Sequence, residues 1–146
     1  MMFFMKAEII IFEEEDIRLE VNMQDETVWL NQRQIATLFA KNRRTISEHI
    51  INIFNEGELE ESMVCRNFRH TTRHGAIKGK TQEVNMNYYN LDVIISVGYR
   101  VKSKRGTQFR IWANKIIKEY LIRGYTVNQS RLDYLDKTVK VKVKFR

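Results

Sequence analysis

The sequence predicts an α+β fold, and three observations carry that prediction. Short apolar runs with two-residue alternation open the chain, amphipathic helical spacing fills Leu30 to Gly57, and a longer amphipathic stretch follows Ser103. Two more strand-like runs lie between the helical stretches, around a glycine-containing segment. With 146 residues, 43% of them hydrophobic and 29% charged, the chain has the material for one folded domain of ordinary size. We assign that domain to residues 1–127 and expect residues 128–146 to be a basic, poorly ordered tail.

The first two runs, Glu8 to Phe12 and Ile17 to Val21, are rich in isoleucine and valine and are separated by the acidic turn Glu13–Asp16. Ile17, Leu19 and Val21 alternate with Arg18 and Glu20, the period of a half-buried strand. Asp25-Glu26 marks another turn and Thr27 to Leu30 a third strand. A small N-terminal antiparallel sheet is expected, with its acidic rim turned away from any polyanion because like charges repel.

Leu30 to Gly57 then reads as two helices joined by a tight turn. Asn31 can cap the first, in which Ile35, Leu38 and Phe39 recur at helical spacing and Ala36 leaves room for a crossing helix. The pattern breaks at Ala40-Lys41-Asn42, and Asn42 can cap the second helix. There Ile46, Ile50, Ile53 and Phe54 form one apolar stripe, and Gly57 is placed to end it. This is the outline of a helix-turn-helix unit, whose second helix lies in a DNA major groove. Its turn departs from the usual form, with Ala40 where glycine is common and Lys41 where an apolar residue often sits.

If the isoleucines point inward, Arg43, Arg44, Ser47 and Glu48 occupy the opposite face. Arginine bonds guanine O6 and N7 as a fork, serine donates or accepts, and a carboxylate accepts from cytosine N4, so these four are the expected base readers. Gln32, Arg33, Lys41 and Thr45, with the capping Asn42 among them, are the expected phosphate contacts. Amphipathic helix pairs without any nucleic-acid role share the same spacing, so the flanking residues have to decide.

After the acidic loop Glu58 to Glu61, Met63 to Thr71 and Glu83 to Tyr89 read as strands around Thr72 to Lys80. No acid occurs between Glu61 and Glu83, while Arg66, Arg69, Arg73, Lys78 and Lys80 supply five cations. A hairpin directly after a reading helix stands where a winged helix domain has its wing, and Arg69, Arg73, Lys78 and Lys80 are the expected wing contacts with a phosphate backbone or minor groove. A solvated surface hairpin is the alternative.

Asn90 can cap Leu91 to Tyr99, whose β-branched content also suits a strand; the cap, Asp92 and Gly98 favour helix. Ser103 caps a clear amphipathic helix with Phe109, Trp112, Ala113, Ile116, Ile117, Tyr120 and Leu121 on one face, and Gly124 is placed to stop it. Arg100, Lys102, Lys104, Arg105 and Arg110 make its start strongly cationic, an arrangement that opposes the helix dipole and that a phosphate would relieve. Lys102, Lys104 and Arg105 are expected as a second DNA-backbone contact, with a partner surface as the alternative. Beyond Tyr125 the pattern fades into the alternation Val139 to Lys144, a strand-like or disordered basic tail.

The net charge of +7 is unevenly spread, with −6 on residues 1–30 and +13 on the remaining 116. A body so basic attracts polyanions, of which nucleic acid is the commonest in a cytoplasm. The single cysteine, Cys65, excludes an internal disulfide and fits a reducing compartment. The apolar opening Met1 to Met5 is too short and too soon charged for a signal peptide or membrane span.

The strings DETVWLNQRQIATLF (Asp25–Phe39), ISEHIINIFNEGEL (Ile46–Leu59) and YNLDVIISVGYRVKSKRGTQFRIWANKIIKEYLIRGY (Tyr89–Tyr125) resemble the bacterial virulence RhuM family over about residues 8–130. The resemblance implies an N-terminal winged helix-like region with a DNA-binding role, of the kind encoded on mobile elements, and helix over Leu91–Tyr99. Members of that family are about twice this length, and the chain leaves the pattern near Leu132, which implies a truncated form. The resemblance carries no catalytic residues.

Cys65, His70 and His74 are close in sequence, but a structural zinc site wants four ligands and no fourth Cys or His is near. No phosphate loop, HExxH or nucleophile elbow occurs. Trp29 and Trp112 are most simply core residues. We therefore expect no enzyme, no cofactor, no metal, no small-molecule ligand and no membrane partner. The expected function is double-stranded DNA binding by a cytoplasmic, nucleoid-associated regulator of winged helix-turn-helix type, as a homodimer where its target is palindromic. A protein-interaction or toxin-accessory module that keeps the fold without base recognition is the alternative.

Overall fold

The computed structural model describes the backbone of residues 8–73 and 81–143 and the side chains of residues 8–68 and 85–124. Its elements run β1 (Glu8–Glu14), β2 (Ile17–Gln24), β3 (Thr27–Asn31), α1 (Gln32–Phe39), α2 (Arg43–Asn55), α3 (Glu61–Val64), β4 (Cys65–Arg73), β5 (Thr81–Asn90), α4 (Leu91–Arg100) and α5 (Lys104–Val143). The expected α+β class holds. The five strands form one antiparallel sheet in the order β1-β2-β3-β5-β4. The N-terminal sheet and the later hairpin, expected as separate units, are thus joined, because β5 returns to β3 with Leu30 opposite Tyr89.

The two faces of the sheet differ. Leu19, Val21 and Met23 on β2 and Leu30 on β3 are buried and belong to the same core as Ile35, Leu38 and Phe39 of α1, Ile46, Ile50 and Ile53 of α2, Val93, Ile94 and Val97 of α4, and Phe109 and Ala113 of α5. The alternating β2 residues Arg18 and Glu20 are exposed, as their period demands. On the other face a smaller aromatic cluster forms, with Trp29 edge-on to Phe68 at 5.7 Å and Phe68 at 5.0 Å from Tyr88. The Arg66 guanidinium lies 4.8 Å over the Trp29 ring and also pairs with Asp25.

Local chemistry sets the helix ends. Asn31 caps α1 by accepting from the Gln34 amide, and the Gln34 side chain accepts from the Asn31 amide in return. Asn42 caps α2 through the Thr45 amide at 2.8 Å, and Asn90 caps α4. The turns after α1 and α4 end a helix with the same pair of backbone bonds. Lys41 N–H reaches Ala36 and Ala40 N–H reaches Thr37 after α1; Ser103 reaches Gly98 and Lys102 reaches Tyr99 after α4. Ala40 (φ 54°) and Lys102 (φ 55°) therefore stand in left-handed conformation, where glycine is the usual occupant.

Three expectations are corrected. Gly124 does not stop the last helix: α5 continues to Val143, so Val139–Val143 is helical and not strand-like. A helix already nucleated propagates at little cost through lysine-rich sequence, whereas an isolated alternating segment gains nothing without a strand to pair with. Met63 and Val64 belong to the one-turn helix α3, so β4 begins at Cys65. Leu121, assigned to the buried face of α5, is exposed.

Candidate nucleic-acid interface

The register of the sheet makes the β4–β5 hairpin project. β3 and β5 pair over three residues only, from Trp29↔Asn90 to Asn31↔Tyr88, whereas β4 and β5 pair from Cys65↔Tyr89 out to Arg73↔Thr81. The hairpin beyond Tyr88 therefore extends past the end of β3, by about 20 Å at the usual rise per residue. Beside its root stands the N-terminal end of α1, which follows β3 without a break.

Between these parts lies a cleft of about 400 Å³ lined by Gln32 and Arg33 of α1, Arg43 of α2, and Asn85, Asn87 and Tyr89 of β5. Among the described residues its charged lining groups are the two arginines, and no carboxylate joins them. Gln32 Nε2 donates to the Tyr89 hydroxyl at 3.2 Å, and Asn67 Nδ2 donates to Asn87 Oδ1 at 3.0 Å. Burial raises the Tyr89 hydroxyl above the usual tyrosine range, with the Gln32 hydrogen bond opposing it, so the ring stays neutral at cellular pH.

The sequence-derived residues divide into four groups. Arg33, Lys41, Arg43 and Arg44 are exposed, with Ser47 and Thr45 half-buried beside them, because Ile46, Ile50 and Ile53 take the inner face of α2. Arg44 lies 3.7 Å from Glu48 one turn on, but their side chains are 91% and 67% exposed, so the pair leaves Arg44 accessible. Gln32 and Asn42 are committed to Tyr89 and to the α2 cap, respectively. The wing residues Arg69, Arg73, Lys78 and Lys80 lie outside the described side chains, as do His70 and His74.

The cluster at the start of α5 is less free than its sequence implies. Arg105 donates to Asp16 at 2.8 Å, because the acidic β1–β2 turn folds against the first turn of α5 and the C-terminal end of α1. Arg100 bridges Glu56 and Glu58 at 2.9 and 2.8 Å, which holds its guanidinium still more firmly protonated. Lys102 and Lys104 are exposed and have no carboxylate partner among the described residues. The expected group of Lys102, Lys104 and Arg105 is thus two free lysines and one neutralised arginine. The acidic rim sits at the end of α1 opposite the arginine-lined cleft.

Sequence reasoning missed Asn85 and Asn87 as lining residues. Their two-residue spacing placed both on one face of a strand, but which face met α1 depended on the β3–β5 register, and that has no local signal.

Cys65 is half-buried, and burial first, then the nearby Glu61 charge, pushes its thiol up. Among the described residues no helix is long and apolar enough to cross a membrane.

No curated protein and no solved structure matches the chain. The model of the Virulence protein RhuM family matches residues 63–144, from α3 through α5. That span reaches beyond Leu132, where the resemblance was expected to end, and leaves α1 and α2 outside it. The chain belongs to the virulence protein RhuM family.

Proposed function

We propose that this protein binds double-stranded DNA as a winged helix-turn-helix protein, with α2 as the reading helix and the β4–β5 hairpin as the wing. The observation that carries the reading is the exposed position of Arg43 and Arg33 on a cleft whose described lining holds no carboxylate, at the root of the projecting hairpin. A duplex laid along this surface would meet Arg44 and Ser47 at base edges, while Arg33 and Lys41 meet phosphates. The acidic turn at the far end of α1 stays clear of the phosphates. Regulation of transcription from a mobile element is the role that follows, with no catalytic step, cofactor or metal assigned.

A mobility-shift assay in rising salt tests the proposal. Neutralising about six phosphates gives a slope near −5 in log affinity against log salt. A protein that shifts no duplex at low salt sinks it.

A second reading, association through α5, is favoured by the exposed Ile111, Leu121 and Ile122 on that helix. Light scattering on the eluting peak tests it, a dimer being the expected outcome and a monomer at high concentration the contrary one.

A further inference from the structure

We propose that a second cleft, between the last turn of α4 and the first turns of α5, binds a nucleoside phosphate, with the base on Tyr99 and the phosphate between Lys102 and Arg110. The cleft holds about 310 Å³, room for one such group, and its floor is formed where Gly98 meets Gly106. Both charged residues lining it are cations, and the Ser103 and Thr107 hydroxyls stand beside them as hydrogen-bonding groups. Two neighbouring arginines are consumed by carboxylates, Arg100 by Glu56 and Glu58 and Arg105 by Asp16. Lys102 and Arg110 have none among the described residues.

Tyr99 specifies the ligand further. It is 83% exposed, the most exposed large apolar side chain among the described residues. Cations alone would suit any anion, but a tyrosine ring left open beside them suits a flat π-surface, and an unpaired base supplies one. The interior of a duplex does not, since its bases are stacked on each other. The backbone also holds Lys102 in place: its left-handed conformation accompanies the two bonds that close α4, and the residue lines the cleft.

This cleft is distinct from the α2 surface. Glu56 and Glu58, at the C-terminal end of α2, occupy the ground beside Arg100. The cleft lies wholly within the residues that carry the family match, whereas α1 and α2 do not. The sequence implied no small-molecule ligand, because Tyr99, Lys102 and Arg110 converge only once α4 and α5 cross. The source of the nucleotide is either free in solution or an unpaired end of a strand.

Titration of the full chain with ATP, a single-stranded hexathymidylate and inorganic phosphate, followed by amide chemical shifts, tests the proposal. Saturable binding of ATP or the oligonucleotide is expected, centred on residues 98–110, and whichever binds tighter identifies the source. Tyr99→Ala should weaken it about tenfold, Tyr99→Phe should leave it near wild type, and Arg110→Ala should weaken it comparably. Tyr99→Ala should leave the duplex mobility shift unchanged, so this proposal and the duplex reading fail separately. Absence of binding by both nucleotides overturns it. So does binding that Tyr99→Ala does not alter, or that is lost in Arg43→Ala/Arg44→Ala instead.

Discussion

Gly98 of α4 lies against Gly106 of α5, with the Phe39 ring of α1 closing over the contact. A Cβ at position 98 would stand 3.1 Å from Phe39 Cζ and 3.4 Å from the Gly106 Cα, so three helices converge where even one added carbon on α4 requires the Phe39 ring to give by a few tenths of an ångström. Phe39 is buried in the core, where a branched side chain at position 98 would press on its ring. Gly98→Val should therefore cost about 1–3 kcal/mol by overpacking, read from urea unfolding. Full wild-type stability would mean that the helices part without cost.

Gly124 and Gly57 have opposite expected responses to alanine. Gly124 lies inside α5, with nothing within 4 Å of an added Cβ, so Gly124→Ala should raise stability by up to about 1 kcal/mol through helix propensity. Gly57 follows α2 with φ at +74°, where alanine is strained, and Gly57→Ala should lower stability by about 1 kcal/mol. Thermal unfolding by circular dichroism gives both signs. Destabilisation by Gly124→Ala would restore a helix end at that residue.

The contrast between these glycines shows what the chain announces locally and what it conceals. Gly57, the caps Asn31, Asn42 and Asn90, and the isoleucine stripe of α2 act within one or two helical turns, and the sequence pattern places all of them. The same pattern flagged Ala40 as unusual, and its left-handed backbone is the structural counterpart. What lay hidden is non-local. Leu30 pairs with Tyr89, which welds two expected sheets into one, and Arg105 finds Asp16 across 89 residues of chain, which removes a cation from the expected contact set. Gly124 misled because glycine ends helices only where φ turns positive, and sequence alone does not report φ.

Arg44 and Arg33 should separate base reading from phosphate holding. Arg44 is on the outer face of α2, and Arg44→Ala should cost about 1–3 kcal/mol on the preferred duplex and little on others, relaxing base preference. Arg33, in the cleft, should weaken all sequences alike when changed to alanine and reduce the salt slope by about 1. Competition mobility shifts with preferred and scrambled duplexes measure both. Equal losses for the two variants on every sequence would argue against groove reading by α2.

The contact between α2 and α4 should weaken in acid, through Glu58. Its carboxyl is held below the ordinary glutamate range, first by the Ser96 hydroxyl and next by Arg100, whose guanidinium also grips Glu56. A carboxyl depressed on folding binds protons more readily in the unfolded chain, where glutamate titrates near about 4.3, so it adds stability above that pH. The contribution falls away as pH drops below that value and through the lower folded-state value. Glu58 is well exposed, and solvent keeps the effect small. Urea unfolding of wild type and Glu58→Gln should show wild type ahead by a constant margin from pH 7 to about 5 that closes by pH 3. A margin that persists at pH 3 would assign the contact to packing between α2 and α4 and not to the charged bridge.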